Sequence, residues 1–166
     1  MNYAVVPLNW IVSNATITWM DMVWAYENKI LGVQMLRSFA EHSLKEEYSD
    51  LIDRIVKMPM EFSENVGSIA KEIANNEGNS DYELIKRKWM YILLKYFYEK
   101  RNDLRDPLSY VEQIYADFDY PEEIESFVRY MPPKTADADS HFVVRGEGRL
   151  YLFWSDYIRS YDEVFK

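Results

Sequence analysis

Apolar residues return along most of this chain at intervals of three and four, the period that brings side chains back to one face of a helix. The densest run carries Leu84, Ile85, Trp89, Ile92, Leu93, Tyr96 and Phe97. Ser80 and Glu83 stand ahead of it in the pattern of a capping box, so a helix of about twenty residues is predicted there as the centre of the core. Earlier, T-W-M-D at 18–21 predicts a helix start, with Trp19, Met22, Val23 and Tyr26 as its stripe. Gly32 closes that region, and a second helix from about Val33 carries Leu36, Phe39 and Ala40. Ser49 opens a third on Leu51, Ile52, Ile55 and Val56, which Pro59 stops. Ser63 is the expected cap of a fourth on Val66, Ile69, Ala70 and Ile73.

Beyond the long helix, Asp106-Pro107 marks a start, because proline is harmless in a first turn where its missing N–H has no partner to lose. Leu108, Val111, Ile114 and Tyr115 form that stripe. Asp119 is the expected N-cap of the next helix, which carries Ile124, Phe127 and Val128 and ends at Pro132-Pro133. A last helix from about Glu147 keeps helical spacing through Leu150, Phe153, Trp154, Tyr157, Ile158, Tyr161 and Phe165. Residues 134–148 read as a polar loop, although H-F-V-V-R-G-E-G-R-L-Y-L-F at 141–153 also reads as a short hairpin. The first dozen residues, with Pro7, read as an irregular lead-in docked on the body. The pattern as a whole predicts an all-α fold, a compact single-domain array (residues 1–166) of about eight antiparallel-packed helices.

Composition agrees with that prediction. Five glycines and six prolines are too few for the turns of an all-β fold, and 27 aromatics among 166 residues supply an ample core. The absence of cysteine removes disulfides, thiolate metal sites and cysteine nucleophiles, and fits a reducing compartment. No Lys or Arg precedes Lys29, which argues against a secretory signal, and no window approaches a membrane span. A cytoplasmic chain is expected.

Charge adds more than composition does. The formal net charge is −9, which disfavours direct binding to nucleic acid and permits a basic protein partner. That charge is unevenly distributed. Residues 86–105 hold seven basic and two acidic side chains, whereas 106–128 hold seven acidic and no basic ones. The two segments could face each other and neutralise, or both could be solvated faces. The functional alternative is an acidic patch that docks a basic protein surface, built on Glu112, Asp117, Asp119, Glu122, Glu123 and Glu125 and edged by Tyr115 and Tyr120. Such patches speed association and select partners more than they add affinity. Most tryptophans, Trp24, Trp89 and Trp154 among them, fall on core stripes. Tyr110, Tyr120, Tyr130 and Tyr151 do not, and exposed tyrosine suits a protein-binding face.

Patterns of catalysis are missing. Asp117, Asp119, Glu122 and Glu123 lack the alternating ligands and glycine of a calcium loop, and Asp137 and Asp139 read as a solvated loop pair. The two histidines, His42 and His141, sit in no metal-binding or nucleophile-activating pattern, and G-x-G at 146–148 is too little for a phosphate loop. A carboxylate-based enzyme would require a cleft of convergent acids. No catalytic residue, no metal site and no cofactor is expected, and the chain reads as a binding protein rather than an enzyme. A helical structural or regulatory module, self-associating through an apolar aromatic patch, is the other reading.

The run D-P-L-S-Y-V-E-Q-I-Y-A-D-F-D-Y-P-E-E-I-E-S-F-V-R-Y-M-P-P at 106–133 resembles a small family of uncharacterised bacterial helical proteins, a domain of unknown function. T-W-M-D-M-V-W-A-Y-E-N-K-I-L at 18–31 and R-K-W-M-Y-I-L-L-K-Y at 87–96 are similar to it as well, while 134–150 departs from its pattern. The resemblance transfers no functional residue. It extends more loosely to the small acidic immunity proteins of bacterial polymorphic toxin systems, which implies a partner in a basic toxin domain.

Overall fold

Thr18 and Asp21 start a helix as their side chains require. Thr18 Oγ1 accepts the Asp21 N–H at 3.2 Å, and Asp21 Oδ2 accepts the Thr18 N–H at 2.8 Å, so each satisfies a donor the helix would leave unpaired. In the computed structural model, which describes residues 3–132 and 146–166, every regular element among the described residues is helical. The α-helices are α1 (Leu8–Asn14), α2 (Trp19–Glu27), α3 (Val33–Leu44), α4 (Asp50–Lys57), α5 (Glu64–Asn76), α6 (Tyr82–Glu99), α7 (Pro107–Asp117) and α8 (Glu147–Phe165). Three 3₁₀ segments join them, Met60–Phe62, Arg101–Asp103 and Glu122–Phe127. The fold is all-α, as the periodicity predicts. The hairpin alternative fails over 147–153, which is helical, and so does the loop reading at 147–148; residues 133–145, with Pro133, Asp137, Asp139 and His141, lie outside the described residues.

Several starts differ from the sequence expectation. The lead-in contains α1, where Asn9 Oδ1 accepts the Trp10 N–H and Ile11 is buried. Ser63 caps nothing; its hydroxyl donates to the Met60 carbonyl at 2.6 Å and receives Arg37. Asp81 takes the role expected of Ser80, its Oδ1 accepting the N–H groups of Glu83 and Leu84. Residues 122–127 form 3₁₀ rather than α-helix, preceded by Pro121, and Asp119 is not their cap.

The chain divides into two compact units, Met1–Trp89 and Met90–Lys166, with the division inside α6. In the first, α5 lies against α2, α3 and α4, and Met22, Leu36, Ala40, Ile55, Val66 and Ala70 are fully buried. Gly67 allows the close approach of α2, because a Cβ there would lie 2.7 Å from the Tyr26 ring. The carboxylate of Glu77, at the end of α5, accepts the N–H groups of Trp19 and Met20 at 3.0 and 3.1 Å, an anion at the positive end of α2. Asp21, also buried, receives Lys88 Nζ at 2.7 Å.

In the second unit α8 and α7 each pack on the 122–127 segment, around Val111, Ile114, Ile124, Phe127 and Trp154. Every residue of α6 from Trp89 to Phe97 is buried, so this stretch has no solvent face, while Leu84, expected on its stripe, is exposed. Lys95 survives burial because its ammonium meets Asp162 Oδ1 at 3.0 Å and the Tyr91 hydroxyl at 3.2 Å. Tyr91 in turn donates to Asp162 at 2.6 Å. Burial first, then Asp162, pushes the Tyr91 hydroxyl above its ordinary pKa. Burial works to raise Asp162, but the bonds from Tyr91 and Lys95 prevail and hold it low.

Candidate functional site

The acidic segment begins at α7 and turns at 118–120. The helix ends in a Schellman motif: the Asp119 N–H bonds the Ala116 carbonyl, and the Tyr120 N–H bonds the Tyr115 carbonyl at 2.8 Å. That motif needs a left-handed residue after the cap, a place that glycine usually fills, and here Asp119 adopts φ +63°. Tyr120 follows at φ +57°, uncommon for a bulky side chain. The contact that accompanies such motifs is aromatic, with the Tyr120 ring edge-on to Tyr115 at 5.2 Å.

Tyr115 is buried and its hydroxyl donates to Glu125 Oε1 at 3.1 Å. Burial, and then Glu125, raises its pKa. The Tyr130 ring also lies 6.1 Å from Tyr115, and burial and Tyr120 raise Tyr130 as well. Tyr120 and Tyr130 remain 60% and 58% exposed. Two open tyrosines therefore stand on a buried third, beside exposed Asp117, Asp119, Glu122 and Glu123. Tyr110 and Tyr151, unassigned by the sequence, are half-buried.

Not all the expected patch faces outward in the same way. Arg129, one residue beyond the acidic segment, grips Asp106 at 3.1 Å through two nitrogens and Glu112 at 2.9 and 3.2 Å, with Glu147 at 3.8 Å. Glu112 and Asp106 hold this guanidinium above its ordinary pKa, and Arg129 holds Asp106 below the carboxylate range. Glu112 is thereby engaged within the chain, and Glu125 is half-buried under Tyr115. Asp117 accepts Gln113, and Glu123 accepts the Tyr161 hydroxyl at 2.7 Å. The basic stretch supplies other groups: Lys88 goes to Asp21, Lys95 to Asp162, and Arg101 to the Tyr98 carbonyl and ring. It is Arg129, not one of these three, that partly neutralises the acidic segment.

The structure thus leaves Asp117, Asp119, Tyr120, Glu122 and Glu123 exposed, whereas Glu112 and Glu125 are half-buried. Tyr130, left off the core stripes by the sequence, is exposed near Tyr115, and only proximity in space reveals that Arg129 joins the acidic segment. Among the described residues, no three His, Asp or Glu side chains converge as metal ligands would, and no helix is long and apolar enough to cross a membrane. The arrangement can offer aromatic contact area and negative charge together, which suits a basic, planar group.

A family described as an uncharacterized protein conserved in bacteria (DUF2247) matches residues 8–161. No curated protein and no solved structure matches the chain.

Proposed function

Because the chain belongs to this bacterial family, whose description assigns no activity, we propose its role from its own surface: it is a cytoplasmic protein-binding protein, an immunity protein that neutralises a basic toxin domain. The observation that carries this reading is the pair Tyr120 and Tyr130, both exposed and held on Tyr115 at the rim of the acidic face. Tyrosines of this kind anchor interfaces, since two rotatable bonds fix a large amphipathic ring at low entropic cost. Asp117, Asp119, Glu122 and Glu123 around them steer a cationic surface into register. No catalytic group takes part, and binding blocks the partner by charge and shape.

The test is co-expression of the tagged chain with the product of the gene next to its own, followed by capture at low and high salt. A salt-sensitive complex that silences a toxic neighbour supports the proposal. Capture that survives replacement of Asp119, Glu122 and Glu123 by lysine would remove the acidic face from it.

A second reading, a helical module that self-associates, is favoured by Met60 and Phe62, which stand exposed on one 3₁₀ segment. Concentration-dependent sedimentation of the chain alone would support that reading instead.

A further inference from the structure

Beside the acidic face, the second unit has a shallow depression of about 340 Å³, lined by Glu123, Phe127, Phe153, Asp156, Tyr157 and Tyr161 among others. Four of these six are aromatic, and the only charged ones are carboxylates. The Tyr157 ring lies 5.6 Å from Phe127 and 5.0 Å from Tyr161; Phe127 and Tyr157 are buried, so the rings with open surface here are Phe153 and Tyr161, both half-buried. Glu123 Oε2 takes the Tyr161 hydroxyl at 2.7 Å, which pins that ring beside the carboxylate. Asp156 already pairs with one guanidinium through Oδ1, that of Arg159 on the next turn of α8.

A ring face attracts a cation through its quadrupole, and a carboxylate at the rim adds charge-assisted hydrogen bonds. Guanidinium uses both at once, because it is planar, weakly hydrated and a bidentate donor. The depression is open and of side-chain size, so it suits a group presented from another surface. Glu123 lies on both the depression and the acidic face, which makes the two continuous.

We propose that this depression receives an arginine side chain of the basic partner protein. The proposal rests on the protein-binding reading and names the anchor of that interface. The guanidinium stacks on the half-exposed rings of Phe153 and Tyr161 while Glu123 and Asp156 accept its N–H groups.

The experiment is amide and aromatic chemical-shift mapping of the intact chain, titrated with N-acetyl-argininamide, with its neutral citrulline counterpart and with the lysine counterpart. Saturable shifts at Ser126, Phe153 and Ser160 with the arginine probe, weaker ones with lysine and none with citrulline, are expected. The double variant Glu123→Gln, Asp156→Asn changes only exposed groups and should weaken the arginine probe about tenfold. Equal response to citrulline, or shifts absent from this depression, would overturn the proposal even if the co-expressed complex forms. Arginine-specific shifts without any complex would uphold the depression and remove the immunity reading alone.

Discussion

Lys29 occupies a position that favours glycine. It sits at φ +60° after α2, where the Ile30 N–H reaches the Ala25 carbonyl at 2.8 Å and the Lys29 N–H reaches Tyr26. The strain of a side chain in that conformation exceeds what glycine would lose in unfolded freedom. Lys29→Gly should therefore raise stability by about 0.5–1 kcal/mol, or roughly 1–4 °C in a thermal melt. Asp119 has the same geometry, but aspartate tolerates it better and its carboxylate serves the acidic face. Neither helix end was legible in the sequence, because neither carries the glycine by which such ends are recognised. Asp119 before Pro121 instead resembles an N-cap, and only the backbone decides between the two roles.

At the scale of elements, the trio of buried Lys95 and Tyr91 on α6 with half-buried Asp162 on α8 makes a sharper prediction. Asp162→Ala leaves the Lys95 ammonium buried with only the Tyr91 hydroxyl, and should cost about 3 kcal/mol in chemical denaturation. Lys95→Met with Asp162→Leu should restore most of the loss, since two apolar groups need no partner. Arg129 ties the start of α7 to the residues after the 3₁₀ segment, and its effect should depend on pH. Asp106 has a folded pKa below its ordinary 3.8, so its contribution is whole above that value and disappears as pH falls through the folded pKa. Denaturation midpoints of Arg129→Met and the parent chain should accordingly differ near neutrality and converge in acid. Periodicity read these elements well where one face is buried, as at Leu108, Val111 and Ile114. It read them poorly where burial is slight. The spacing found α6 although its stretch from Trp89 to Phe97 is buried on every side, but it missed α1, which buries only Ile11. Arg129 was invisible because its partners Asp106, Glu112 and Glu147 come from both sides in sequence, and spacing records only neighbours.

On the scale of the molecule, a net charge of −9 acts at a distance on any basic partner. Replacing Asp119, Glu122 and Glu123 by lysine should slow association on the order of tenfold at low salt, and stopped-flow rates should converge with the parent as salt rises. The division of the chain has a different consequence. Trp89 donates its indole N–H to the Asp21 carbonyl, while five residues on the Leu94 carbonyl accepts Trp154, and both belong to α6. Severing the gene at the Met90 codon would split that helix into Tyr82–Trp89 and Met90–Glu99. Each stub falls below the roughly 12–15 residues at which an isolated helix persists in water. A cut at this boundary would therefore hand each half an unfinished helix.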